Sequence, residues 1–168
     1  MTDTAVKDIL FRPIGMIHTP FHAHTGTPIQ PAVADGAAGT ITVLTPYSDA
    51  LDDLAGFERI WLLYHLDRAA PWRRKVVPYR DVVERGLFAT RSPCRPNPIG
   101  MSVVRLLSVE GNVLHVCDAD ILDGTPLLDI KPYVPEFDSH PISKAGWLDQ
   151  ASSQRCVADE RFERGKPV

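Results

Sequence analysis

Apolar residues recur along the chain in short β-branched runs bounded by proline and glycine, the pattern of strands rather than helices. Residues 14–18 (IGMIH) and 39–44 (GTITVL) are two such runs. The aromatic, bulky run FERIWLLYHL over residues 57–66 predicts a strand buried on both faces. Between these runs Ser48 is placed to cap a short helix over DALDDLAG, ending at Gly56, where a residue able to take positive φ is useful. The clearest signal is the pair of runs at residues 101–109 and 113–122, which flank Glu110-Gly111-Asn112 and predict a long hairpin. A further apolar piece at residues 127–130 follows a Gly-Thr-Pro turn, and only residues 152–164 read as a helix, with serines in front and Gly165 behind. The apolar face of that helix is thin, so it is expected to dock on something larger. The pattern predicts a mainly β fold: a small antiparallel β-barrel with few short helices and long proline-rich loops. Residues 1–10 read as a tail, 11–147 as the barrel domain and 148–168 as a helical C-terminal tail.

Length and composition narrow the class. A chain of 168 residues with 44% hydrophobic and 23% charged residues suits one globular domain. No apolar run approaches the roughly 20 residues of a membrane-spanning helix, so no membrane partner is expected. Three cysteines without Cys-x-x-Cys spacing suggest neither a disulfide framework nor a thiolate zinc site, and residues 1–15 lack a secretory pattern, so the expected compartment is the cytoplasm. The six histidines carry no recognisable metal-ligand motif; His22, His24 and Cys94 are too loosely spaced to assign a metal.

Charge changes the picture more. The net charge of -3 argues against a broadly basic nucleic-acid binder, yet it hides an uneven distribution. Residues 1–58 carry two basic and seven acidic side chains, residues 59–105 ten and three, and residues 106–168 six and eleven. The positive centre contains Arg68, Arg73, Arg74, Lys75, Arg80, Arg85, Arg91 and Arg95, which either pair with acids elsewhere in the fold or form a polyanion surface.

Two segments concentrate candidate chemistry. Residues 86–100, GLFATRSPCRPNPIG, set two arginines, hydroxyls and an asparagine among prolines, and guanidinium forks at Arg91 and Arg95 match carboxylate or phosphate. In DADILDGTP, residues 118–126, strand alternation would put Asp118 and Asp120 on one face and Asp123 at the strand end beside Gly124. Such carboxylates can accept ribose hydroxyls, bind a cation or act as a base, although the segment lacks the tight acidic loop of calcium motifs. Many of the 15 prolines lie in loops beside these strands, where they reduce the ordering that binding requires.

The strings GLFATRSPCRPNPIGMSVV and DILDGTPLLDIKPYVPEFD, with FRPIGMIHTPF and GFERIWLLYHL, resemble the TsaA-like (TrmO) family over residues 11–147. The resemblance implies an S-adenosylmethionine-dependent methyltransferase on a β-barrel, acting as a homodimer on N6 of threonylcarbamoyladenosine beside the tRNA anticodon. Residue by residue, it implies cofactor contacts at Pro28 and Gln30, Arg91, Met101, and the turn Asp120, Ile121, Leu122, Asp123, Gly124 and Thr125. Asp67 and Arg68 stand where the family often has His-Gln, and Cys94 where it often has His. Larger members continue into a C-terminal domain beyond the end of this sequence. Asp123 and Asp138 are the candidate general bases, and Arg73, Arg74, Lys75, Arg80, Arg85 and Arg95 the candidate contacts to the tRNA anticodon loop. The alternatives are a cofactor-binding module without activity and a small-molecule methyltransferase without a tRNA surface.

Overall fold

The structure, a computed structural model, describes residues 7–151 and 154–165. Its strands are β1 (Gly15–His18), β2 (Gly39–Val43), β3 (Arg59–His65), β4 (Lys75–Val76), β5 (Arg85–Gly86), β6 (Ile99–Glu110), β7 (Val113–Cys117) and β8 (Thr125–Pro132). Six of them close an antiparallel barrel in the order β1-β2-β7-β6-β3-β8, with β8 returning to β1, and β4 and β5 form a separate two-stranded ribbon. The expected small β-barrel is therefore present. One short helix, α1 (Pro135–Asp138), follows β8. Among the described residues no helix is long and apolar enough to cross a membrane.

Closure follows from strand periodicity. Ile17, Ile41, Ile60, Leu62, Val104, Leu114 and Leu127 are fully excluded from solvent and together draw on all six strands. Burying each contributes about 1.5–3 kcal/mol. Along β3 the buried residues Ile60, Leu62 and Tyr64 alternate with half-buried Arg59, Trp61 and Leu63. The expected two-sided burial is corrected accordingly: a small barrel has one packed interior, and the outer face of β3 is only partly covered. The hairpin turns at Gly111, φ +60°, as the Glu-Gly-Asn signal predicts. Its second strand stops at Cys117 rather than 122, because Asp118 takes φ +67° and leaves the ladder. Asp118 then pairs with Arg59 at 3.3 Å, so it does not share a strand face with Asp120.

Two helix expectations are also corrected. Residues 45–51 and 54–56 form 3-10 turns; the Ser48 hydroxyl donates back to Thr45 O, and Asp53 rather than Gly56 adopts positive φ. The C-terminal tail is not helical over its described residues, 154–164; Ser152 and Ser153 lie outside them. Its only regular feature is the 3-10 turn Glu160–Phe162, and isolated bridges join Val157 to Pro28 and Glu163 to Ala69. The physical reason is the thin apolar face: Phe162 alone is a large, fully buried side chain there, in a second cluster with Val76, Leu87 and Cys94 and against Tyr79.

Candidate functional site

A cavity of about 420 Å³ opens at the barrel mouth where β3 ends and β6 and β8 begin. Residues drawn from four separate stretches line it, 24–30, 63–69, 90–101 and 120–125, with Tyr79 and, from the tail, Ala158 completing the wall. The tail is anchored there by backbone bonds in both directions, Gly26 N–H to Ala158 O at 2.9 Å and Ala158 N–H to Thr27 O at 2.8 Å. The sequence places Ala158 in a supposed helix and offers no sign of this role.

The structure brings together Pro28, Gln30, Asp67, Arg68, Arg91, Met101, Asp120, Ile121, Leu122 and Thr125, all of which line the cavity. Arg91 donates to Gln30 Oε1, which joins the Pro-rich loop to the arginine loop. Arg68 donates to Asp123 O at 2.5 Å and lies 3.5 Å from Thr125 Oγ1, while Thr125 donates to Leu122 O at 2.7 Å. Thr19 Oγ1 holds Ile121 O at 2.6 Å from behind. The turn thus has its peptide groups fixed from both sides.

Asp123 and Gly124 do not line the cavity. Gly124 provides φ +74° and donates to Ile17 O at 2.8 Å. The Asp123 carboxylate meets His18 Nδ1 at 3.3 Å, His22 Nδ1 at 3.4 Å and the Thr19 N–H at 3.2 Å. Partial burial opposes its charge, but the Thr19 and His18 bonds and the two imidazoles outweigh that and hold its pKa below the ordinary value. The other candidate base, Asp138, is exposed and accepts the Val134 N–H at 2.8 Å, closing the first turn of α1. It too is absent from the cavity wall.

Two carboxylates line the cavity, Asp67 and Asp120, and Asp120 is the more deeply buried. Its Oδ1 accepts from Ser102 Oγ at 2.6 Å, and Ser102 Oγ is 2.9 Å from the Tyr64 hydroxyl. Desolvation is the largest influence on Asp120 and pushes its pKa up to about 6, against the Ser102 bond and the Arg91 charge. Tyr64 is raised well above its usual value, again chiefly by burial. The sequence does not single out Tyr64 and Ser102, because both sit inside apolar strand runs. Gly100 is the local signal that could have found them: paired across from Tyr64, it would place a Cβ 2.1 Å from the Tyr64 ring, so only glycine lets the ring lie flat over β6.

The basic residues divide. Arg85 is paired with buried Asp81 at 2.7 Å, Arg95 donates to Thr90 O at 3.0 Å, and Arg80 contacts Gln154 at 3.3 Å. Arg73, Arg74 and Lys75 make no side-chain ion pair among the described residues, and the last two are exposed. Burial raises the Cys94 thiol pKa, which leaves it a packing residue of the second cluster. Among the described residues no group of three or more His, Cys, Asp and Glu is arranged to hold a metal ion.

A closed six-stranded barrel whose mouth carries a cavity walled by arginine, carboxylate and proline loops defines a small-ligand-binding β-barrel. Comparison then specifies it: the tRNA-methyltransferase O N-terminal domain family matches residues 16–139, and the chain belongs to that family. It is 51% identical over 142 residues to a probable S-adenosyl-L-methionine-binding protein of Pyrococcus abyssi, covering 84% of this chain and 77% of that one. It is 38% identical over 168 residues to the tRNA (adenine(37)-N6)-methyltransferase of Escherichia coli K12, covering 94% of this chain and 72% of the other. The crystal structure of TrmO from Pseudomonas aeruginosa superposes with a TM-score of 0.74 at 38% identity, over 86% of this chain and 65% of that chain. The chain therefore spans just under two thirds of that solved chain.

Proposed function

We propose that the protein is an S-adenosylmethionine-dependent methyltransferase that modifies N6 of the threonylcarbamoylated adenosine next to the anticodon of tRNA, as a cytoplasmic homodimer. The observation that carries the reading is the convergence of the Pro28–Gln30 loop, Arg91 and the 120–125 turn on one cavity. The name borne by the Pyrococcus relative supports the cofactor, and that of the Escherichia relative supports N6 of a tRNA adenine as the acceptor.

The wall fits that cofactor chemically. The Arg91 guanidinium, held by Gln30, suits its carboxylate; Met101, Ile29 and Leu122 offer apolar surface to a flat ring; the Asp67 carboxylate, 3.7 Å from Arg68 Nε through Oδ1, keeps acceptor capacity for hydroxyl or ammonium groups. When bound, the cofactor supplies an electrophilic methyl group on a sulfonium. This chain contributes placement and proton handling. Asp120 Oδ1 is occupied by Ser102, leaving Oδ2 to take the proton that the acceptor nitrogen must release as its bond to carbon forms. A carboxylate with a pKa of about 6 is ionised at neutral pH yet more basic than an ordinary aspartate. The role for which Asp123 and Asp138 are the sequence's candidates passes in this reading to Asp120, because neither of the other two reaches the cavity.

The test is incubation with labelled cofactor and total tRNA from a strain lacking its own enzyme, followed by nucleoside analysis. Methylated threonylcarbamoyladenosine is expected. Cofactor binding without any methylated nucleoside would leave a binding module, and methyl transfer to small molecules alone would remove the tRNA. In calorimetry Arg91→Ala should weaken cofactor binding; an unchanged affinity would remove Arg91 from the site.

A further inference from the structure

The stretch that leads into the cavity wall carries large apolar side chains that the fold does not bury. Phe88 is 80% exposed and Trp72 53%, on either side of the β4–β5 ribbon. Phe88 belongs to the 3-10 turn Leu87–Ala89, whose first residue is tied to β4's approach by the Leu87 N–H to Arg74 O bond of 3.0 Å. Six residues later the same loop returns to Trp72's neighbour through Arg73 N–H to Cys94 O at 3.2 Å. Phe88 and the Arg74–Lys75 cations are therefore held on one platform.

That platform is stiff. Asp81 is buried, accepts the N–H groups of Val82 at 2.7 Å and Val83 at 3.2 Å, and pairs with Arg85 at 2.7 Å, closing the turn between β4 and β5. The Arg85 guanidinium lies 5.7 Å from the Trp147 ring, and Trp147 donates to Ala89 O at 2.7 Å, one residue past Phe88. The Phe88 ring has Arg95 at 5.6 Å from its centroid and is otherwise open. An aromatic ring fixed by a cation on one side and exposed elsewhere, in a turn bonded to the segment that carries exposed Arg74 and Lys75, which make no side-chain ion pair among the described residues, has the composition of a single-strand stacking site.

We propose that the outer face of the β4–β5 ribbon is a ledge for single-stranded RNA, with one nucleobase stacked on Phe88 and the neighbouring phosphates held by Arg74 and Lys75. The ledge rests on the tRNA reading above and extends it. Phe88 stands outside the cavity, and Thr90, Arg91, Ser92, Pro93 and Arg95, which line it, begin two residues further along the chain. A nucleotide on Phe88 is thus adjacent to one whose base enters the cavity, and a loop strand splayed in this way needs only modest unstacking.

The test uses a short RNA stem-loop with an adenosine-containing loop, the same stem as a blunt duplex, and the full chain. Phe88→Ala should weaken stem-loop binding about tenfold, leave its salt dependence unchanged, and be rescued by Phe88→Trp. Arg74→Ala and Lys75→Ala should each lower the slope of log affinity against log salt by about one. Calorimetry with S-adenosylmethionine should give the same cofactor affinity for Phe88→Ala as for the unmodified chain. If the unmodified chain binds the stem-loop and Phe88→Ala binds it equally well, the ledge is wrong while the tRNA reading stands. Absence of any stem-loop binding by the unmodified chain overturns both. If Phe88→Ala instead converts a sedimenting dimer to monomer, the face is a self-association surface and the ledge is again overturned.

Discussion

Asp120 and Asp123 stand three residues apart on one turn and face opposite sides of it. Asp120 points into the cavity, where desolvation raises its pKa and Ser102 and Tyr64 are its neighbours. Asp123 points outward, 31% exposed, where two imidazoles and a backbone N–H favour its ionised form. The same side chain is desolvated on the inner side, where the proposed proton transfer falls, and locks the turn on the outer. The difference comes from burial and partners, which a one-dimensional motif does not record.

Substitutions should separate the two regions. The largest effect is expected from Asp120→Asn, which keeps the shape but removes the proton acceptor: a loss of about 10²–10⁴ in kcat, with cofactor affinity nearly unchanged. Full activity in this variant would end the inner-wall role. Next comes Gly100→Ala, whose methyl collides with the Tyr64 ring and should cost about 1–3 kcal/mol in denaturant unfolding while also shifting the pH dependence of activity. Gly15→Ala is the control, since its Cβ would meet Thr42 O at 2.5 Å on strands away from the cavity; a comparable stability loss is expected with an unaltered pH profile.

Smaller effects follow at the edges of the comparison. Tyr64→Phe removes one hydroxyl from the buried chain and should cost about 1 kcal/mol, measured by thermal unfolding. Asp123→Asn loses an exposed ion-pair cluster and should cost about 0.5 kcal/mol. The two carboxylates also act oppositely on stability against pH. Asp120 has a folded pKa above its unfolded one, so its folded state binds the extra proton and stability falls as pH climbs from about 4 to about 6. Asp123 has a lowered folded pKa, so its stabilisation is present above about pH 4 and is lost as pH falls below that. Urea midpoints of the two Asn variants across pH 3–8 should show each slope vanish separately.

Much of this was legible in the chain. Alternating β-branched residues and the Glu-Gly-Asn turn indicated the barrel, since period-two burial is local information. The strings around Arg91 and the 120–125 turn indicated which loops meet, although no spacing reveals that they share one cavity. What could not be read is set by long-range contacts. Asp118's left-handed backbone cut short a strand whose residue types continued to favour it. The described residues of the tail form no helix, because their bonds go to Thr27, Pro28 and Ala69, more than 90 residues earlier. His18 and His22 gave no metal signal, and their convergence on Asp123 depends on the turn folding back across β1.

The pH dependence of methyl transfer tests the inner-versus-outer assignment most directly. With labelled cofactor and tRNA under single-turnover conditions, the rate of the unmodified protein should rise through an apparent pKa of about 6, set by Asp120. Asp123→Asn should retain that profile, whereas Asp120→Asn should lose the inflection together with most of the rate. An inflection that survives in Asp120→Asn and disappears in Asp123→Asn would contradict the account.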